Sequence, residues 1–203
     1  MKQVFRKTIL LAFCIAITTT IFAQSTEWGV KTGVNLATQI PNITKISNND
    51  IRPGMYAGLF AEYRVSNFLG IQGELLYSMM GGKNTGYVSY PHYLDPNDIY
   101  EGEVVFTNKN NYIVLPIMAK LYVAKKLSID LGPQFAYMVS EKIKGFHFDD
   151  VDRQYDVLFG AGFSYKIHRK IDVSARYNLG LVELYSTSWR NNVIQFGLGY
   201  RIK

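Results

Sequence analysis

The sequence predicts an all-β fold: an eight-stranded antiparallel up-and-down transmembrane β-barrel, preceded by a cleaved signal peptide. Three observations support it. Eight segments alternate apolar with polar or small residues, the connections between them alternate between long and short, and aromatic residues lie near the ends of the apolar faces. Alternation with a period of two indicates strands with one apolar face. A chain without a long apolar helix can cross a membrane only as a closed barrel, because a barrel satisfies every backbone polar group.

The first 23 residues are predicted to be a secretory signal peptide. Lys2, Arg6 and Lys7 precede an uncharged run over residues 8–23 that ends in a small residue, which is the order found in signal peptides. Cleavage after Ala23 leaves residues 24–203 as one barrel domain and lowers the formal net charge from +6 to +3, since three basic residues are removed. The one cysteine, Cys14, lies in the signal behind the bulky Phe13, which disfavours a lipid-attachment site.

The predicted strands follow one another along the remaining chain at residues 28–36, 55–65, 69–79, 112–123, 127–140, 155–166, 171–181 and 193–202. Each is long enough to cross a bilayer core, which takes about 9–11 tilted residues. The last strand shows the pattern without a break, with apolar residues from Ile194 to Ile202 at every second position. A soluble eight-stranded carrier is the alternative, but the polar faces hold too little charge and too much glycine for a surface in water.

The connections predict the orientation of the barrel. Residues 38–52, 81–110 and 141–152 form long connections and residues 183–191 an intermediate one, whereas 66–68, 124–126 and 167–169 are short. Outer-membrane barrels have short periplasmic turns and long extracellular loops. We therefore expect an integral outer-membrane protein with both termini in the periplasm. Aromatic residues near the strand ends are expected to form the two interfacial girdles: Trp28, Tyr63, Tyr77, Tyr137, Tyr155, Tyr165 and Tyr200.

Charged residues on the polar faces are predicted to meet inside the barrel. They are Lys31, Glu62, Arg64, Glu74, Lys120, Asp130, Asp156, Lys166, Arg176 and Arg201, together with Asp172. Eight strands enclose an interior just wide enough for side chains to fill, and an unpaired charge there costs several kcal/mol. We expect an ionic cluster that fills the lumen; a narrow ion path is the alternative.

The connection over residues 81–110 is the candidate contact site. Its candidate contact residues are Tyr87, Tyr90, His92, Tyr93 and Tyr100, which lie among acidic residues. Tyrosines beside short polar residues suit a contact surface for an external protein or glycan, because they bury much area at low entropic cost. A variable exposed loop without a fixed partner is the alternative.

No metal, cofactor, nucleic acid or catalytic function is expected. The acidic segment Phe146-His147-Phe148-Asp149-Asp150 with Asp152 lacks the spacing and the glycine of a helix-loop-helix calcium loop. The chain lacks the clustered Lys and Arg that nucleic-acid binding uses. Its histidines, His92, His147 and His168, fall in predicted connections, whereas a barrel hydrolase holds a histidine in fixed geometry beside a carboxylate or serine.

Three motifs resemble the PorT-like outer-membrane β-barrel family of Bacteroidetes. They are Gly29-Val30-Lys31-Thr32-Gly33-Val34-Asn35, Asn111-Tyr112-Ile113-Val114-Leu115-Pro116-Ile117-Met118-Ala119-Lys120 and Arg176-Tyr177-Asn178-Leu179-Gly180-Leu181. The resemblance spans nearly all of the mature chain and implies a small barrel of the OmpX type in the outer membrane. The member that names the family is tied to type IX secretion, so the resemblance also implies a possible secretion role.

The last strand is expected to carry the signal read by the barrel-insertion machinery, through Gly197, Tyr200 and Ile202. We expect a monomer in contact with outer-membrane lipid. The leading hypothesis for its function is a structural or surface-binding role through the long extracellular loops. A component of secretion or envelope assembly is the second, and a membrane-embedded hydrolase using His92 or His147 is the third.

Overall fold

The computed structural model describes residues 26–41, 48–92, 95–144, 154–182 and 189–203. The predicted signal peptide, Tyr93 and the acidic segment around His147 lie outside these residues. Among the described residues no helix is long and apolar enough to span a membrane. The described chain forms nine strands: β1 (Thr26–Pro41), β2 (Asn48–Asp50), β3 (Arg52–Arg64), β4 (Leu69–His92), β5 (Asp95–Tyr122), β6 (Leu127–Lys144), β7 (Tyr155–Lys166), β8 (Ile171–Gly180) and β9 (Trp189–Arg201).

Eight of these strands close into an antiparallel barrel, which confirms the predicted fold. The sheet order is β4-β3-β1-β9-β8-β7-β6-β5, and pairing of β4 with β5 closes the ring. The predicted joining of the first and last strands is also present, since β9 pairs with β1 from Gly29 opposite Arg201 to Pro41 opposite Trp189. The short β2 is an addition that pairs only with β4, at residues 83–85.

The faces of the strands divide as the alternation predicts. Apolar side chains point outward and are exposed along every barrel strand, while the inward residues are buried. Each of the seven predicted girdle aromatics is exposed on the outer wall: Trp28, Tyr63, Tyr77, Tyr137, Tyr155, Tyr165 and Tyr200. In water so much exposed apolar area would favour aggregation, whereas in lipid it is solvated by acyl chains.

The two ends of the barrel differ. At one end, here named the turn end, residues 65–68, 123–126 and 167–170 make short turns. At the other, the hairpin end, β4 and β5 continue in register far past the wall, from Met80 opposite Asn110 to Pro91 opposite Ile99. The prediction of a loop over residues 81–110 is therefore wrong: most of this segment is a paired β-hairpin. A pair of strands that continues past the wall of the barrel needs no alternating apolar face. The sequence of this segment therefore does not alternate with a period of two.

Candidate functional site

A network of charged side chains fills the lumen near the turn end. Arg201 lies 2.7 Å from a carboxylate oxygen of Glu27, 2.7 Å from one of Asp172 and 3.4 Å from one of Glu62. Lys166 pairs with Glu27 at 3.1 Å. One guanidinium thus contacts carboxylates from three other strands, β1, β3 and β8. Arg64 is half-buried at the edge of this network and lies 3.9 Å from Glu62, whose carboxylate also accepts a hydrogen bond from the Tyr122 hydroxyl.

A second set of ion pairs lies deeper in the barrel. Glu74 accepts a hydrogen bond from Lys31 at 2.9 Å and two from the Arg176 guanidinium at 2.8 and 3.2 Å. Gln72 donates a further bond to the same carboxylate at 2.6 Å. All four side chains are buried. A fork from arginine to carboxylate is the strong geometry for such a pair, so Glu74 of β4 holds two buried cations, one from β1 and one from β8.

Lys120 and Asp130 form a third buried pair. They are opposed in the β5–β6 ladder, and the Lys120 ammonium lies 3.1 Å from the Asp130 carboxylate. Ser128 donates to the other Asp130 oxygen at 2.7 Å, and Ser164 of β7 also donates to this carboxylate. We name the buried charges Lys31, Glu62, Glu74, Lys120, Asp130, Asp172, Arg176 and Arg201 the ionic layer.

Above the ionic layer the lumen holds apolar side chains together with buried amides such as Gln134 and Asn178. The apolar side chains form one buried cluster of residues: Ala37, Tyr56, Leu76, Met80, Tyr112, Val114, Ala136, Met138, Leu158 and Val193. We name this cluster the apolar layer. It lies between the ionic layer and the hairpin end and was not predicted from the sequence. The available signal was the inward position of apolar residues on polar faces, such as Leu76 between Glu74 and Ser78.

Asp156 does not join the ionic layer. It is buried near the hairpin end, where its carboxylate accepts a hydrogen bond from the Asn191 amide at 2.9 Å. The same amide donates to the Tyr112 hydroxyl at 3.2 Å, and Gln39 donates to the Asn191 oxygen at 3.1 Å. Within the described residues no cation pairs with Asp156. Neutral amides, rather than ion pairs, form this end of the lumen.

The β4–β5 hairpin beyond the wall is the other candidate site. β2 covers one edge of it at residues 83–85, and Lys83 lies 3.5 Å from Asp50. On the other edge, β5 pairs with β6 as far as Thr107 opposite Lys144. Past Thr85 and Thr107, β4 and β5 pair only with each other in the part of the chain that the structure describes. We name residues 86–92 and 95–106 the ribbon.

The ribbon contains four of the five tyrosine and histidine positions predicted for contact. In its backbone register Tyr90 is opposite Tyr100 and Tyr87 is opposite Glu103, and His92 ends β4. Gly81 lies just before the ribbon with a positive φ of 127°. A side chain at this position would meet the Asn108 carbonyl oxygen at 2.1 Å, so glycine is required where β4 leaves the wall.

The residues predicted for insertion lie in and just after β9. Tyr200 and Ile202 are exposed on the outer wall, and the Ile202 amide donates to the Trp28 carbonyl at 2.9 Å. Gly197 faces inward, where a Cβ would lie 2.1 Å from the Tyr56 hydroxyl. This glycine therefore leaves room for Tyr56, which reaches across from β3.

Possible metal or catalytic groups are few in the described residues. No group of three His, Cys, Asp or Glu side chains that could hold a metal ion is present among them. His168 is exposed in a turn, where its Nδ1 accepts a long bond of 3.5 Å from the Lys170 amide.

Comparison with known proteins agrees with the barrel geometry. Residues 22–186 match the family described as "Outer membrane protein beta-barrel domain". The chain is 12% identical to Neisserial surface protein A, covering 88% of this chain and 100% of that one with a TM-score of 0.53. It is 13% identical to Ail, the attachment invasion locus protein of Yersinia pestis, covering 88% and 100% with a TM-score of 0.48.

At these identities the solved structures show similarity of fold. None of the curated proteins matches the chain. The family match covers most of the sequence and includes β1 to β8. The chain therefore belongs to the outer membrane protein beta-barrel domain family and is an integral β-barrel of the outer membrane.

Proposed function

We propose that this barrel is a surface-binding protein that contacts an external protein or glycan through the ribbon. The single observation that carries the proposal is the length of the β4–β5 hairpin, which has 24 residues in β4 and 28 in β5. About 9–11 residues suffice to cross a bilayer. The additional paired length extends a defined element away from the membrane, on the side opposite the short turns.

The backbone of the ribbon supports a binding role. An unpaired strand edge presents a row of N–H and C=O groups that can pair with an extended segment of another chain. Beyond Thr85 and Thr107 both outer edges of the ribbon are unpaired within the described residues. A protein partner that adds a strand to one of these edges would obtain main-chain hydrogen bonds without a preformed pocket.

The lumen supports the same proposal, because the buried side chains of the ionic layer and the apolar layer, with the amides among them, lie inside it one level after another. We propose that the lumen is a structural plug, and that the ionic layer fixes the positions of the strands. The function is then assigned to the ribbon and not to a channel.

Site-specific photocross-linking in native membranes tests the proposal. A photoreactive residue at Ser89 in β4 of the ribbon is compared with one at Asn67, which lies exposed in the turn at the other end. We expect Ser89 to give an adduct with a surface or external component and Asn67 to give none with that component. Absence of an adduct at Ser89, when the protein is folded, would contradict a surface-binding role.

A secretion or envelope-assembly role is the second candidate, favoured by the PorT-like motifs at residues 29–35, 111–120 and 176–181. In this role the protein acts through its turn end or its outer wall. The same experiment separates the candidates, since an adduct at Asn67 with a periplasmic secretion component would favour this one. Proximity of the gene to secretion genes would favour it too.

We further propose export by the signal peptide at residues 1–23, insertion through the signal at Gly197, Tyr200 and Ile202, and function as a monomer without a cofactor. A hydrolase using His92 or His147 is the third candidate and the least favoured. Replacing both histidines and measuring the composition of the envelope lipids tests it, because a lipid hydrolase would lose its product.

A further inference from the structure

The turn end of the barrel carries an uneven distribution of charge. Two of its three turns are basic: residues 123–126 include Lys125 and Lys126, and residues 167–170 include Arg169 and Lys170. The third turn, at residues 65–68, contains Ser66 and Asn67 and no charged residue. We name Lys125, Lys126, Arg169 and Lys170 the basic half-rim.

The two basic turns are neighbours on one side of the barrel. The Lys166 amide donates to the Lys126 carbonyl at 2.8 Å, and the Arg201 amide donates to the Lys170 carbonyl at 2.8 Å. These bonds fix the turns between β5 and β9, so the four cations occupy one half of the circumference. The neutral turn between β3 and β4 adjoins β5 on the other side, where the Tyr122 amide donates to the Phe68 carbonyl at 2.8 Å. The ends of β1 and β9, with the exposed Lys203, complete the circumference.

The cations of the half-rim have no carboxylate partner in the described part of the chain. All four are exposed. The nearby acidic residues of this end are already paired, since Glu27 contacts Arg201 and Lys166, and Asp172 contacts Arg201. The four cations of the half-rim therefore give this side of the turn end a positive charge that no carboxylate compensates.

The depth of these cations in the membrane identifies the partner. Val123 and Ile167, the first residues of the two turns, are exposed apolar side chains on the lipid-facing wall, at 58% and 54% exposure. A strand advances about 3.3 Å per residue, so the cations lie within about 10 Å of the last lipid-facing residues. This is the level of lipid phosphate groups and not of a partner in the aqueous periplasm.

We propose that the basic half-rim binds the phosphate groups of anionic phospholipids in the leaflet at the turn end. Each Lys or Arg held near an anionic lipid surface contributes attraction that falls off within a Debye length. Four cations in two adjoining turns are placed to select anionic over zwitterionic headgroups. The neutral turn at residues 65–68 has no such preference, so the barrel carries anionic lipid at the two basic turns.

Native mass spectrometry of the barrel released from nanodiscs of phosphatidylcholine and phosphatidylglycerol tests this proposal. We expect the wild-type protein to retain phosphatidylglycerol preferentially. The variant K125Q/K126Q should reduce that preference about fivefold for each cation removed, and K125Q/K126Q/R169Q/K170Q should abolish it. The matched control is N67Q in the neutral turn, which changes an exposed side chain at the same end without changing the charge and should leave the preference unchanged.

A gain of function completes the test. Asn67→Lys adds a cation to the neutral turn and should increase retention of phosphatidylglycerol, so the proposal remains testable if the fourfold variant does not fold.

Competition with inorganic phosphate separates the two sources of a phosphate group. Phosphate added to the wild-type protein should not displace the lipid if the headgroup at the membrane surface is the ligand. Displacement would instead assign the site to free phosphate. Equal retention in wild type and K125Q/K126Q would overturn the proposal.

Discussion

The two halves of the lumen are lined with different side chains. Toward the turn end, buried charges are matched in pairs and triplets, with Glu74 between Lys31 and Arg176. Toward the hairpin end, the apolar layer around Leu76 and Leu158 packs among neutral amides, and the carboxylate of Asp156 is bonded to an amide and not to a cation. The stability of the charged half depends on complete ion pairs, because loss of one partner leaves an unpaired buried ion. The stability of the apolar half depends on filled volume, because loss of a methyl group leaves a cavity.

Removal of the Glu74 carboxylate should lower the free energy of unfolding more than any other change proposed here. In Glu74→Ala, Lys31 and Arg176 both lose their carboxylate inside the barrel. We expect the free energy of unfolding to fall by about 3–5 kcal/mol, the cost of breaking a buried pair. Urea titration in lipid vesicles, followed by tryptophan fluorescence, measures it. The control is Asp50→Ala, which breaks the exposed pair with Lys83 and should cost about 0–1 kcal/mol; equal losses would mean that the lumen is hydrated.

Truncation of Leu158 should have the second-largest effect on the free energy of unfolding. This side chain is fully buried in the apolar layer, and Leu158→Ala should lower the unfolding free energy by about 2–5 kcal/mol through the cavity it leaves. Leu179→Ala on the lipid-facing wall is the matched control, and its loss should be smaller because acyl chains fill the space. If the ionic layer is the proposed plug, neither Leu158→Ala nor Leu179→Ala should show a steady current in planar bilayers, since both leave that layer unchanged. A stable open channel in Leu158→Ala would assign closure to the apolar layer alone.

Shortening the ribbon should have the smallest effect. Thr85 is opposite Val105 in the β4–β5 register, so replacing residues 86–104 with Asn-Gly joins them by a two-residue hairpin turn. This replacement removes no contact inside the lumen. We therefore expect the free energy of unfolding to change by no more than about 0.5 kcal/mol, which is typical of surface changes. The heat-modifiable mobility of the folded barrel on gels should persist. Its loss would show that the ribbon is needed to close the barrel.

The wall of the barrel could be predicted from the sequence because its environment imposes a pattern. Lipid on one side and a packed lumen on the other give each strand a period of two, so the strands, their faces and the pairing of β9 with β1 followed. The opposition of Lys120 and Asp130 is also accessible, since a short turn at residues 123–126 sets the register of β5 and β6.

The remaining features depend on contacts between residues that lie far apart in the sequence, which no local pattern predicts. The contact of Glu74 with Arg176 crosses the lumen and depends on the stagger of the whole barrel. In the sequence, Leu76 and Leu158 are exceptions on faces that are otherwise polar or small, and only the structure brings them into one buried cluster. The ribbon lies in water, where pairing imposes no apolar alternation, so its sequence resembled a loop.

The contacts of Arg201 make charge balance depend on the final strand. Glu27, Glu62 and Asp172 belong to strands that precede β9 in the chain, and all three contact the guanidinium that β9 supplies. Glu27 also pairs with Lys166, and Glu62 with Arg64, but Asp172 contacts no other cation among the described residues. During insertion the Asp172 carboxylate must therefore remain hydrated or protonated until β9 docks against β1 and β8. Sealing of the sheet and pairing of this carboxylate are then one event, and a chain that stops before β9 would lack both.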